Sequence, residues 1–223
     1  MSEHAWLKSS PGFVTPTVSL DGYQNIVEIF DESVSKFGPQ IAYTNMGVTL
    51  TFNEVSAHVD ALVHFLQNKT NLKKGDRIGL QMPNLLQFPI TIFACLKAGL
   101  VIVNTNPLYT SEEMRHQYKD SGAKAIIILE NFASNLEKII ADTNIETVIT
   151  TTIGDMLGGF KGAITNLVVR RVKKMVPSFN IENSISLKNI LNENSGKKGS
   201  PIALTQKDNA FLQYNGVTIG VSK

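Results

Sequence analysis

LKKGDRIGLQMPNLLQFPITIFACLKAGLVIVNTNPLY, residues 72–109, decides the fold. Lys73 to Asp76 form a turn, Arg77 to Gln81 a short strand, and Pro83 with Asn84 ends that strand and opens a helix. From Leu85 to Lys97 the apolar residues Leu86, Ile90, Phe93 and Leu96 recur at helical spacing, and Gly99 stops the helix. Leu100 to Val103 is then an almost wholly apolar strand. A strand apolar on both faces belongs to a parallel sheet covered by helices, and a crossover of this length makes its two strands parallel. The stretch therefore predicts a β-α-β unit at the centre of the domain.

Working outward, the same alternation continues on both sides. Upstream, Asp21 or Asn25 caps a helix with Ile26, Ile29, Phe30, Val34 and Phe37 at helical spacing, closed by Gly38 and Pro39. Ile41 to Tyr43 and Val48 to Leu50 make a hairpin around Thr44 to Gly47. Thr51 and Glu54 form a T-x-x-E capping box for a helix whose inner stripe is Val55, Val59, Leu62, Val63 and Leu66. Residues 1–20, with Pro11, Gly12 and Pro16, read as an irregular arm laid over the domain. Downstream, Thr110 and Glu113 repeat the capping box, and Met114, Gln117 and Tyr118 face inward. Strands at Ala125 to Leu129 and Glu146 to Thr150 flank a helix over Asn131 to Ala141. The fold class is therefore α/β: a doubly wound, mostly parallel sheet with helices on both faces.

Composition excludes more than it assigns. With 43% hydrophobic and 18% charged residues among 223, the chain is neither disordered nor fibrous. A formal charge of +2 is too small to argue for nucleic acid, which is not an expected partner. The lone Cys95 excludes an internal disulfide and sits on an apolar helix as a structural thiol. The four histidines share no ligand spacing, so no metal site is expected from them. Met1 to Ser10 lacks the apolar core of a secretory signal, and no run is apolar for long enough to span a membrane.

Two segments point to surfaces and ligands. Over residues 160–179, Ile164, Leu167, Val168, Val172, Met175 and Val176 fall on one helical face, while Lys161, Arg170, Arg171, Lys173 and Lys174 crowd the rest. No acidic residue lies between Asp155 and Glu182. Such a helix suits an anionic membrane surface, with Ile164, Leu167, Val168, Arg170, Arg171, Lys173 and Lys174 as contacts. The other reading is a helix covering the sheet with a solvated basic edge. Asn192 to Ser200 reads as a polar, mobile loop. Near the end, a strand through Phe211 runs into YNGVTIGVSK, residues 214–223. Glycines, a hydroxyl and a lysine after a strand suit phosphate, because backbone N–H groups, a donor and a cation can converge on its oxygens. It is not a Walker A loop, since two residues separate Gly220 from Lys223, and no G-x-G-x-x-G follows any strand.

GDRIGLQMPN, FPITIFACLKAGLVIVNTNPLYT and DSGAKAIII, in this order, resemble the start of a bacterial long-chain fatty-acid CoA ligase, one of the adenylate-forming enzymes. The similarity runs from about Trp6 to Lys223. It implies a large N-terminal domain followed by a small mobile one, with this chain, residues 21–223, covering part of the first. It also implies use of ATP with Mg2+, a long-chain fatty acid and coenzyme A, by way of an acyl-AMP intermediate. Tyr214, Gly216, Thr218, Gly220 and Lys223 agree with the family's loop Y-[ST]-G-G-[ST]-[ST]-G-x-x-K-G, whose members embrace the triphosphate. Asn215, Val217 and Ile219 depart from it. The remaining ATP, magnesium and acyl-chain residues would lie beyond Lys223, so no catalytic residue is assigned. The resemblance further implies a cytoplasmic enzyme peripheral at the inner face of the membrane. Two functional readings stay open: a ligase whose isolated first part is inactive, and a non-catalytic membrane-surface or dimer-forming module.

Overall fold

The computed structural model describes residues 22–214. The expected arm, residues 1–20, and the loop residues Gly216, Thr218, Gly220 and Lys223 lie outside the described residues.

Local signals set most element ends. Helix α1 (Ile26–Phe37) starts where the Asn25 side chain accepts from the Glu28 amide at 3.1 Å. Strands β1 (Ile41–Asn45) and β2 (Val48–Thr51) form an antiparallel hairpin whose two turn residues, Met46 and Gly47, both have positive φ. Helix α2 (Phe52–Asn68) carries the predicted capping box: the Thr51 amide donates to Glu54 Oε2 at 2.8 Å and the Glu54 amide to Thr51 Oγ1 at 3.2 Å. The same reciprocal pair at Thr110 and Glu113 opens α4 (Ser111–Ser121), which Gly122 ends in the left-handed conformation.

The central unit is β3 (Arg77–Gln81), α3 (Gln87–Lys97) and β4 (Val101–Asn104), and its two strands are parallel as expected. The chain then crosses β3 to β5 (Ala125–Leu129), continues through α5 (Glu130–Glu137) to β6 (Thr147–Thr151), and passes α6 (Gly159–Leu167) before β7 (Ile185–Ser186). After α7 (Leu187–Glu193) it returns to the far edge as β8 (Phe211–Gln213). The six-stranded sheet has the order β7-β6-β5-β3-β4-β8, with every pairing parallel.

Alternate residues of β5 show why the sheet is covered twice. Ala125, Ile127 and Leu129 enter a core with α1, α2, α3 and α7, whereas Ile126 and Ile128 enter one with α4 and α5. All five are buried. Truncating one such isoleucine to alanine costs about 2–5 kcal/mol in interiors of this kind. Gly79 of β3 has a packing reason, since a Cβ there would meet the Tyr118 ring at 2.9 Å. Cys95 is fully buried, which pushes its thiol pKa up and makes it structural.

Two expectations need correction. The basic helix does not run over 160–179: α6 continues only as a π-helical turn, Val168–Val172. Lys174 then adopts a positive φ and Pro177 follows, neither of which a helix interior accommodates. The segment 192–200 is not a loose loop. Glu193 ends α7, Asn194 is buried, and Gln67 of α2 clamps Ser200 with two hydrogen bonds of 2.7 and 3.0 Å. In α1, Phe30 stacks on Phe93, whereas Ile26, Ile29 and Phe37 are exposed.

Candidate functional site

In an open doubly wound sheet, ligands bind outside the carboxyl ends of the strands, where the chain switches direction. Here α3 lies on one face and α4 and α5 on the other, so the switch falls between β3 and β5. The carboxyl ends of β3, β4, β5 and β8 bring Gln81, Asn104 with Thr105, Glu130, and Tyr214 to one edge.

This edge is tied together from within. Buried Gln81 donates to the Asn106 carbonyl at 3.3 Å, and the Tyr118 hydroxyl donates to Thr105 Oγ1 at 3.0 Å, within 3.4 Å of Gln81 Oε1. Burial pushes the Tyr118 phenol well above its ordinary pKa, so it remains a donor. Gln117 donates to the Asn104 carbonyl at 2.9 Å. On the neighbouring turn, Gln87 donates to Thr151 Oγ1 and the Thr152 carbonyl, while Asp155 accepts from the Thr151 hydroxyl and the Thr152 amide. These bonds hold the strand ends in fixed register.

Strand β8 supplies the direction. Ile102 pairs Phe211, Val103 pairs Leu212 and Asn104 pairs Gln213, so the chain reaches Tyr214 at the carboxyl edge. Of the expected phosphate-binding residues only Tyr214 is described. Its hydroxyl donates to the Asp120 carboxylate of α4, and partial burial with that carboxylate pushes the phenol pKa up to about 12. Tyr214 thus anchors the strand end to α4. For Mg2+, no group of three or more potential ligands occurs among the described residues, and the Glu130 carboxylate is already held by Arg170.

The expected membrane contacts are divided by the structure. The inner side of α6 is its small one: a Cβ on Gly162 would lie 2.2 Å from the Gly154 carbonyl oxygen, and the Gly154 amide donates to Asn166 Oδ1 at 2.8 Å. The bulky apolar side therefore faces out, with Ile164 46% and Leu167 59% exposed. Phe160, which pattern reading placed at the helix start without assigning it a contact, is 83% exposed. Val168 is half-buried, and Arg170 turns back to form a two-nitrogen ion pair with Glu130, 40 residues upstream. Arg171, Lys173 and Lys174 are exposed, and none of the three forms an ion pair among the described residues. A separate groove of about 720 Å³ lies at the opposite, amino edge of the sheet between α1 and residues 204–210, away from the site. Among the described residues, no helix is long and apolar enough to cross a membrane.

The chain as a whole has counterparts among known proteins. Residues 30–223 match the family model described as AMP-binding enzyme. The chain belongs to the AMP-binding enzyme family. It is 42% identical over 218 residues to the long-chain-fatty-acid–CoA ligase of Escherichia coli O6:H1, covering 98% of the chain and 39% of that protein. The Bacillus subtilis protein of the same name is 26% identical over 226 residues, again with 39% of its length covered. The chain thus spans about two fifths of the length of these AMP-binding relatives. Among solved structures it resembles an anthranilate CoA ligase in complex with anthranoyl-AMP, with TM-score 0.72, 17% identity, 90% of the chain and 34% of that protein. A long-chain-fatty-acid-CoA ligase from Archaeoglobus fulgidus gives TM-score 0.67 at 19% identity, with 95% and 38% covered. At these identities the structural likeness speaks for the shared α/β fold alone.

Proposed function

We propose that the protein containing this chain activates long-chain fatty acids with ATP and Mg2+ and passes the acyl group to coenzyme A. The observation behind this reading is 42% identity over 98% of the chain to a long-chain-fatty-acid–CoA ligase, together with β8 bringing the chain to Tyr214 at the carboxyl edge. A fatty-acid carboxylate oxygen attacks the α-phosphorus of ATP, the bond to the bridging oxygen breaks, and pyrophosphate leaves. The coenzyme A thiolate then attacks the acyl carbon and AMP leaves. In this scheme the chain supplies the sheet, the anchored strand end at Tyr214, and the phosphate contacts of Gly216, Thr218, Gly220 and Lys223.

The isolated chain is inactive on this reading. Val217 stands where the family loop has glycine, at a cost on the order of 1–2 kcal/mol if the backbone needs positive φ. Ile219 removes a donor to a charged oxygen, roughly 1.5–3 kcal/mol more. Together these weaken ATP binding by about a hundredfold or more. Palmitate-dependent exchange of labelled pyrophosphate into ATP is the test, with an intact ligase of the family as control. No exchange from folded chain is expected; exchange above background would refute the assignment of inactivity.

A second reading is favoured by the outward apolar side of α6. In it the chain is a non-catalytic module held at a membrane surface; on the first reading the ligase works in the cytoplasm, attached peripherally to the anionic inner face of the membrane that delivers its fatty acid. The alternative use of an exposed surface, a homodimer, is distinguished by sedimentation with and without vesicles.

A further inference from the structure

The membrane reading rests on one helix, but the structure adds a second element to it. Lys161 of α6 donates its ammonium to the Met46 carbonyl at the tip of the β1–β2 hairpin, so the tip and the start of α6 lie side by side. The hairpin is in turn tied to the loop after β3 by Asn45, which donates to the Asn84 carbonyl at 3.2 Å. Met46 has φ 50° and is 50% exposed. Two-residue turns with positive φ at both positions ordinarily use asparagine, aspartate or glycine, because other side chains are strained there. Here a strained position at an exposed tip carries a long apolar side chain, with nothing polar gained by it. On α6, whose Lys161 reaches that tip, Phe160, Ile164 and Leu167 are exposed, because the glycine side of the helix is the one that packs. Further along the chain, Arg171, Lys173 and Lys174 are exposed and unpaired with any carboxylate among the described residues.

We propose that the Met46 hairpin tip and the Phe160, Ile164 and Leu167 side of α6 form one lipid-contact face, which inserts into an anionic bilayer surface while Arg171, Lys173 and Lys174 meet the headgroups. The proposal rests on the membrane reading above and extends it to the hairpin. Apolar side chains at the acyl boundary with cations at headgroup level are what an interfacial element needs. Charge complementarity selects an anionic lipid surface over a second copy of the chain, whose matching face would be equally basic.

Vesicle partitioning tests both layers. The protein is expected to bind phosphatidylglycerol-containing vesicles and to bind phosphatidylcholine vesicles far more weakly. Lys173→Gln with Lys174→Gln is expected to reduce the first about thirtyfold. Met46→Asn is the discriminating variant, since it relieves the turn and keeps or raises thermal stability, yet is expected to weaken partitioning about tenfold. A fluorophore on Met46→Cys should shift to the blue on binding, and the buried Cys95 leaves the new thiol as the site of labelling. Equal binding to both vesicle types, or none, overturns the membrane reading and the proposal together. Selective binding that Met46→Asn leaves unchanged, with no spectral shift, overturns the two-element face alone. A dimer in sedimentation that Phe160→Ser disperses, without vesicle binding, assigns the face to a second copy and also overturns it.

Discussion

Gly162→Ala separates tertiary packing from helix propensity by sign. Within α6 an alanine is ordinarily better than glycine by about 1 kcal/mol, so local reasoning expects stabilisation. The structure expects the reverse. The added Cβ would sit 2.2 Å from the Gly154 carbonyl oxygen, against roughly 3.3 Å for an ordinary carbon–oxygen contact. The obstacle is backbone on both sides, so relief requires α6 to move by about 1 Å, enough to stretch the 2.8 Å bond from the Gly154 amide to Asn166 out of range. Overpacking of about 1–3 kcal/mol and a lost hydrogen bond of about 1 kcal/mol, less the propensity gain, leave a net destabilisation of about 1–3 kcal/mol. For a chain of this size that lowers Tm by about 3–9 °C. Thermal and urea unfolding measure it, with Gly159→Ala as the matched control, because a Cβ there meets nothing within 4 Å. Gly162→Ala proving as stable as wild type, or more so, would refute the close glycine crossing as the seat of α6.

Two further outcomes follow from buried or clamped polar groups. Burial alone would raise the Asp76 carboxyl, but the Lys124 ammonium at 2.8 Å and the Lys73 amide outweigh it and hold its pKa below the usual carboxylate value. Its stabilisation is therefore complete above the unfolded-state pKa of about 3.9 and is lost as pH falls through the lower folded value. Asp76→Asn should cost about 1–2 kcal/mol at neutral pH and flatten the acid side of the stability profile; an unchanged acid limb in urea titrations from pH 7 to pH 2 would count against it. Gln67→Ala should free the segment around Ser200 and speed tryptic cleavage at Lys197 and Lys198 about tenfold, as two hydrogen bonds are lost. Unchanged cleavage would mean that the buried Asn194 and the His64 contact to the Lys198 carbonyl hold the segment without Gln67.

What the sequence alone determined is whatever short-range chemistry settles. The two capping boxes and the Gly99 stop stand where the pattern puts them, and of the two caps it offered for α1 the structure uses Asn25, because each is a matter of atoms close in the chain. The apolar run of β4, with the crossover length from β3, was enough to specify a parallel sheet covered on both faces. The motif order that marks the AMP-binding family is likewise a property of the string. What only the tertiary structure decided involves partners far apart in the chain. A charge count over residues 156–181 finds no acid, yet Arg170 meets Glu130 across 40 residues. Periodicity puts Val168 on one stripe with Ile164 and Leu167, but α6 ends at Leu167 and Val168 opens a π-helical turn where it is half-buried, while Phe160 at the start of α6 is 83% exposed. The polar composition of residues 192–200 suggests mobility, while Gln67 clamps the segment from α2. Periodicity and composition describe the chain's own neighbours, and the direction a helix turns its side chains is set by the backbone it crosses.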